Sequence, residues 1–167
     1  MSNKAKLINQ DSGNTEYYTP VEIVDAARKV MGNIDLDPAS SAKANTRVRA
    51  SRFYMENDNS LTLSWEGYVW MNHPFSRLNN KVFIKKLIDE YNKGNTAQAC
   101  CITFAATSEK WFQPLLQFPQ CFLSPRTNYY LPDGSLKRGV TKGSVVTYLG
   151  SNTHLFIKYF SAFGVIK

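Results

Sequence analysis

The segment of this chain best equipped for chemistry is Asn72-His73-Pro74-Phe75, which follows directly on the apolar run Tyr68-Val69-Trp70-Met71. Within four residues it holds a side-chain amide oxygen, a backbone carbonyl ahead of a proline, and a flat aromatic face. Such a set can accept N–H hydrogen bonds and stack on a planar ring. The same residues also read as a plain strand-to-helix turn with an aromatic plug, and four residues alone do not separate the two. Acids stand in Ile34-Asp35-Leu36-Asp37-Pro38-Ala39-Ser40, and Asp58 sits in the turn-like Glu56-Asn57-Asp58-Asn59-Ser60-Leu61. Arg77 lies just beyond Phe75, and Lys137, Arg138 and Lys142 fall in a later polar tongue. No metal-ligand cluster, phosphate-binding glycine loop or Ser-His-Asp arrangement is visible.

These groups need elements to hold them. Thr19-Pro20-Val21-Glu22 predicts a helix start, with Thr19 as N-cap, Pro20 at the first helical position and Glu22 closing a capping box. Val24, Ala27, Arg28 and Met31 continue one stripe up to Gly32. A short strand is expected at Ile34 to Leu36, cut by Pro38, and another at Tyr68 to Met71. Helical spacing runs from about Asn80 to Tyr91 and stops at Gly94. Ala99 to Ala105 is a continuous apolar run of the buried-strand kind. Thr107 or Ser108 is expected to cap a short helix carrying Trp111 and Phe112 and broken near Pro114. Arg126 to Leu131 and Ser144 to Leu149 read as strands flanking the tongue. A last helix over Thr153 to Phe163 leads into Val165-Ile166. Alternating strands and helices predict a single-domain open α/β sheet of the doubly wound kind, residues 17–167, behind a polar arm, 1–16. Ligands of such sheets bind outside the carboxyl ends of strands, where Asp37 and Asn72 fall.

Composition sets the outer bounds. A chain of 167 residues suits one compact core, and 43% hydrophobic with 13% aromatic residues is ample to fill it. Lys and Arg outnumber Asp and Glu by 20 to 13, a formal net charge of +7, which favours a polyanionic partner. Cys100, Cys101 and Cys121 make no CxxC pair, so neither a disulfide framework nor a zinc site is expected. There is no apolar signal-peptide region and no run of membrane-spanning length, which leads to the expectation of a cytoplasmic protein, with no membrane and no metal partner.

Asn72-His73-Pro74-Phe75 resembles the (Asp/Asn/Ser)-Pro-Pro-(Tyr/Phe) signature of methyltransferases that act on an exocyclic amine. Tyr18-Thr19-Pro20 is similar to the element that opens their cofactor site, and Asp37-Pro38 to the acid segment ending their first strand. From Tyr18 to about Val165 the chain resembles the phage DNA adenine methylase family, through Asp-Leu-Asp-Pro-Ala-Ser, Ala44-Asn45, Arg52-Phe53-Tyr54, Trp65 and Ser144 to Gly150. The resemblance implies a class I fold dependent on S-adenosylmethionine, and methyl transfer to N6 of adenine in double-stranded DNA, in a bacterial host cell. It implies that Asn72 and the His73 carbonyl accept the amine, that Phe75 stacks on a flipped base, and that Pro74 shapes the loop. Tyr18, Thr19, Pro20, Asp35, Asp37, Pro38 and Asp58 are the implied cofactor residues, Asp58 on either the ribose or the adenine. Arg77, Lys137, Arg138 and Lys142 are the expected DNA contacts. Two departures stand out: Ser40-Ser41-Ala42 replaces a glycine-rich turn, and His73 replaces the first proline of the doublet. The second keeps open a catalytically impaired binding module, and a methylase of another amine (cytosine N4, protein glutamine) is a further alternative.

Overall fold

A computed structural model of the protein describes residues 16–167, so the polar arm expected over 1–16 lies almost wholly outside the described residues. Seven strands form one sheet: β1 (Leu36–Asp37), β2 (Arg52–Phe53), β3 (Gly67–Met71), β4 (Thr96–Phe104), β5 (Gln120–Leu123), β6 (Ser144–Leu149) and β7 (Gly164–Ile166). Their spatial order is β2-β1-β3-β4-β6-β5-β7. The first four are parallel, with Leu36 opposite Val69 and Met71 opposite Cys101. β6 then runs antiparallel to both β4 and β5, and β7 antiparallel to β5. This is the mixed α/β sheet of the class I methyltransferase type.

Period-two alternation divides the core into two layers. Trp70, Cys100, Ile102, Val146 and Tyr148 face one side, where α1 (Val21–Met31) and α4 (Thr153–Phe160) supply Val24, Ala27, Phe156 and Phe160. Val69, Met71, Ala99, Cys101 and Val145 face the other, against Ile84 and Leu87 of α3 (Arg77–Asn92) and against Phe112 and Leu115. Each fully buried residue of this size contributes about 1.5–3 kcal/mol. A shorter helix, α2 (Ala42–Val48), follows β1, with the Ser41 hydroxyl accepting from the Ala44 N–H.

Several local expectations are corrected. Thr19 does not cap α1: Pro20 occupies that position, no side chain caps the helix, and the helix begins one residue later. β1 is Leu36–Asp37, shifted toward the proline, and the Asp35 carboxylate just before it takes the Tyr68 N–H at 2.8 Å. α3 begins at Arg77, three residues before the apolar periodicity, because the Ser76 hydroxyl accepts from the Asn79 N–H. No strand forms over 126–131. The chain pairs earlier, at Gln120–Leu123, and afterwards only Tyr130 bridges, to Tyr18 and Leu136. Around Pro114 there is a 3-10 turn, Gln113–Gln117, with the proline in its first turn rather than breaking it. α4 ends at Phe160, and Gly164 opens β7 where a Cβ would lie 2.0 Å from the Phe122 carbonyl.

The chain passes from β1 to β2 on one side and later returns with β3 on the other. That reversal of direction leaves a crevice outside the carboxyl ends of β1 and β3.

Candidate functional site

A cleft of about 320 Å³ opens at that crevice. Tyr18 and Thr19 form one wall, Asp37 and Pro38 the end of β1, and Asn72, His73 and Pro74 the end of β3. The wall is tied down by a two-way pairing: the Tyr18 N–H donates to the Tyr130 carbonyl and the Tyr130 N–H to the Tyr18 carbonyl, both at 2.8 Å.

Asp37 is 2% exposed, and its Oδ1 takes the Ala39 N–H at 3.2 Å. Burial pushes its carboxyl up to about 7, against the smaller opposing effects of the Ala39 N–H and the Ser40 hydroxyl. An acid so placed is only partly compensated by the protein, and a cation or strong donor entering the cleft would favour its charged form.

Asn72 is oriented by its neighbour. Its Nδ2 donates to the Tyr17 carbonyl at 2.5 Å, and a carbonyl partner demands the amine end of the amide. Oδ1 is therefore the end left to accept. Tyr17 is held by ring packing against Phe75 (centroids 6.3 Å) and Tyr129 (5.9 Å). Phe75 is half-buried beneath the loop against Phe104 at 4.6 Å, and it does not line the cleft itself.

His73 is 1% exposed. Its Nε2 meets Asn80 Oδ1 at 2.7 Å, and its ring stacks on Phe83 at 5.7 Å with an interplanar angle of 16°. Burial lowers its pKa to about 4, only partly offset by Asn80, so the ring is neutral at pH 7. A general base working near neutrality does not fit that environment.

Other expected residues lie elsewhere. Asp35 stands at the amino end of the sheet, opposite the cleft, where Oδ2 takes the Tyr68 N–H and Oδ1 the Asn33 amide. Gly67, at φ +88°, lets that carboxylate close in, since a Cβ there would meet Asp35 Oδ2 at 2.5 Å. Asp58 turns back to the Met55 N–H at 2.7 Å as a cap of its own 3-10 turn, and Glu56, two positions away on that turn, lines the cleft in its place. Neither Asp35 nor Asp58 lines the cleft, the first carboxylate being bonded to the Tyr68 N–H of β3 and the second to the Met55 N–H of its own turn. Pro20 caps α1 without lining the cleft. Arg77, Arg138 and Lys142 are exposed and Lys137 is half-buried, all outside the cleft. Lys142 lies over the Phe104 ring at 5.2 Å, and Phe104 in turn touches Phe75, which brings the foot of the tongue beside the Asn72–Phe75 loop.

Sequence reasoning missed Arg47, Asn80 and Phe83. Arg47 lines the cleft from α2 with its guanidinium over the Tyr130 ring at 4.3 Å. It pairs with no carboxylate among the described residues. Nothing in the local sequence marks these residues: Arg47 and Phe83 line the cleft, and Asn80 stands behind it on the His73 ring.

No group of three or more His, Cys, Asp or Glu able to hold a metal is found among the described residues, and no described helix is long and apolar enough to cross a membrane. Residues 8–121 match the protein-family profile described as DNA N-6-adenine-methyltransferase (Dam). No curated protein matches the chain.

Proposed function

The chain belongs to the DNA N-6-adenine-methyltransferase (Dam) family, and from that premise we propose that it transfers a methyl group from S-adenosylmethionine to N6 of adenine in double-stranded DNA. The observation that carries the reading is the fixed amide of Asn72, whose oxygen is left to accept in the cleft that also buries Asp37.

The donor set fits the cofactor. A buried carboxylate with a raised pKa suits the ammonium of its amino-acid end, and Glu56 suits its ribose hydroxyls. Bound there, S-adenosylmethionine supplies a methyl group on a sulfonium, which needs no further activation by the protein. The residues of the chain prepare the other reactant. Adenine N6 is a poor nucleophile because its lone pair is delocalised into the ring. Asn72 Oδ1 and the His73 carbonyl each accept one N6–H, drawing the nitrogen toward tetrahedral geometry and freeing the lone pair. Proline at 74 biases the preceding residue toward extended backbone. Tyr17 keeps the amide in register, so little reorganisation accompanies the reaction.

The base must leave the duplex to reach this loop. Phe75, packed beneath the loop, acts as its support and contributes stacking area only where the base reaches its half-exposed edge. Arg77 beside the loop and the tongue residues Lys137, Arg138 and Lys142 offer phosphate contacts consistent with the net charge of +7.

Incubation of plasmid DNA with tritiated cofactor, followed by digestion to nucleosides, tests the reading directly. Label in N6-methyl-2′-deoxyadenosine is the expected result. Label in N4-methyl-2′-deoxycytidine would move the substrate to another amine, and cofactor binding without label in any nucleoside would reject DNA methylation.

A further inference from the structure

Arg47 is the only lysine or arginine among the described residues that line the cleft. The acids of the same lining, Glu16, Asp37 and Glu56, form no ion pair with it. Its guanidinium carbon lies 4.3 Å over the Tyr130 ring, a face that steadies a cation without supplying a carboxylate's paired acceptors. Tyr130 is itself fixed by the two-way backbone pairing with Tyr18. Arg47 is half-buried, yet none of its side-chain nitrogens is sealed from solvent, and none donates a hydrogen bond within the described residues. A full positive charge and its N–H donors are thus held ready at the cleft wall for an anion.

Its place in the fold indicates which anion. The end of α2 is pinned to α1, where Arg28 donates to the Val48 carbonyl and Arg49 pairs with Asp25 at 2.8 Å. Arg47 therefore stands on the side of the cleft where Tyr18 leads into α1, and the lining runs from it through Ala44 and Ser41 back to Asp37. Glu56 enters from the turn after β2 instead. In S-adenosylmethionine the sulfonium and ammonium are cationic and the adenosine is neutral, so the carboxylate alone can answer an arginine. It is borne on the same carbon as the ammonium, so an ammonium held on Asp37 presents the carboxylate to the adjoining wall. Resting on the reading that S-adenosylmethionine binds this cleft, we propose that the Arg47 guanidinium binds the carboxylate of the cofactor's amino-acid end, with Tyr130 as the positioning residue beneath it. The two charges of the zwitterion then meet a carboxylate and a guanidinium of opposite sign. A planar guanidinium fork matches the two carboxylate oxygens, a match that a lysine cannot make.

Calorimetric binding of S-adenosylhomocysteine and of its decarboxylated analogue, which keeps the ammonium, tests this. The wild type is expected to prefer the carboxylate by roughly 10–100-fold, the worth of hydrogen bonding between charged groups. Arg47→Met should remove most of that preference by weakening only the carboxylate-bearing ligand, and Arg47→Gln gives the same reading should the methionine variant fail to fold. Arg47→Lys, which keeps the charge without the fork, should retain part of it. Tyr130→Leu should lower the preference and leave the decarboxylated ligand unaffected. An undiminished preference in a folded Arg47→Met protein would overturn the proposal. If that protein instead shows a shallower salt dependence of duplex binding, the anion met by Arg47 is a DNA phosphate. Equal binding of the two ligands by the wild type would overturn it as well. Should the wild type bind neither ligand, the cofactor reading itself fails, a different result from binding without discrimination.

Discussion

Asn72 and Asp37 act on different quantities, and their substitutions should separate them. Asn72→Ala removes an acceptor that matters most as the amine becomes nucleophilic. We expect kcat to fall by at least 100-fold, with cofactor affinity within a few-fold of wild type; undiminished turnover would reject the amine-holding role. Asp37→Ala should weaken S-adenosylmethionine binding by about 1–3 kcal/mol. Asp35→Ala should leave that affinity alone and lower the melting temperature, since its carboxylate serves Tyr68 and Asn33. Asp37 also predicts a proton signature. Its folded pKa of about 7 is raised above the ordinary value, so its stabilising effect is present at low pH and lost as pH rises through 7. A cationic ligand favours the ionised form, so binding at pH 7 should release protons and tighten between pH 6 and 8. Calorimetry in buffers of different ionisation enthalpy measures that release. Buffer-independent heat would mean that Asp37 is already ionised or untouched by the ligand.

At the scale of elements, the cleft depends on how β3 and α3 are clamped. Glu90, buried near the end of α3, takes the Trp65 N–H at 3.0 Å and the Asn95 amide at 2.9 Å on Oε2, and meets Lys86 Nζ at 2.7 Å on Oε1. Burial alone would raise its pKa, but Lys86 and the Trp65 N–H outweigh that and hold it at about 2. A depressed carboxylate stabilises the fold above its unfolded pKa and loses that effect as pH falls toward 2. Glu90→Gln should therefore cost about 1–3 kcal/mol in urea unfolding at pH 7, with the gap to wild type narrowing below pH 4.5. A pH-independent gap would assign the loss to geometry rather than to charge. The Trp65 N–H it holds belongs to the segment that leads into β3, and Phe83 of the same helix stacks on Trp65 at 6.1 Å.

For the whole molecule, the basic balance and the tongue make a prediction about salt. If Arg138 and Lys142 neutralise phosphates, the double substitution to Ala should reduce the slope of log K against log salt by about 1–2. Methylation per bound duplex should change little, because neither residue lines the cleft. An unchanged slope would take the tongue out of the DNA contact.

The chain's local chemistry is legible in its sequence. Tyr68–Met71 running into Asn72 marks a strand end by composition alone, and Asp37-Pro38 marks another. The alternation of apolar runs placed both at one edge of a parallel sheet, where a ligand belongs. Local periodicity also located the body of α3, although not its Ser76 cap. What periodicity could not decide was which polar group faces the cleft. Asp35 and Asp37 are near-equivalent in sequence. One lies at the amino end of the sheet on the Tyr68 N–H, and the other at the carboxyl end in the crevice. Asp58 and Glu56 share one turn, yet Asp58 is bonded back to the Met55 N–H while Glu56 lines the cleft. The Asn72 amide is oriented by a carbonyl 55 residues away and Arg47 by a ring beyond residue 120. Such pairings arise only when the β-sheet closes distant segments on one another. Orientation in this cleft is therefore a property of the tertiary structure, while the type and order of its chemistry are properties of the sequence.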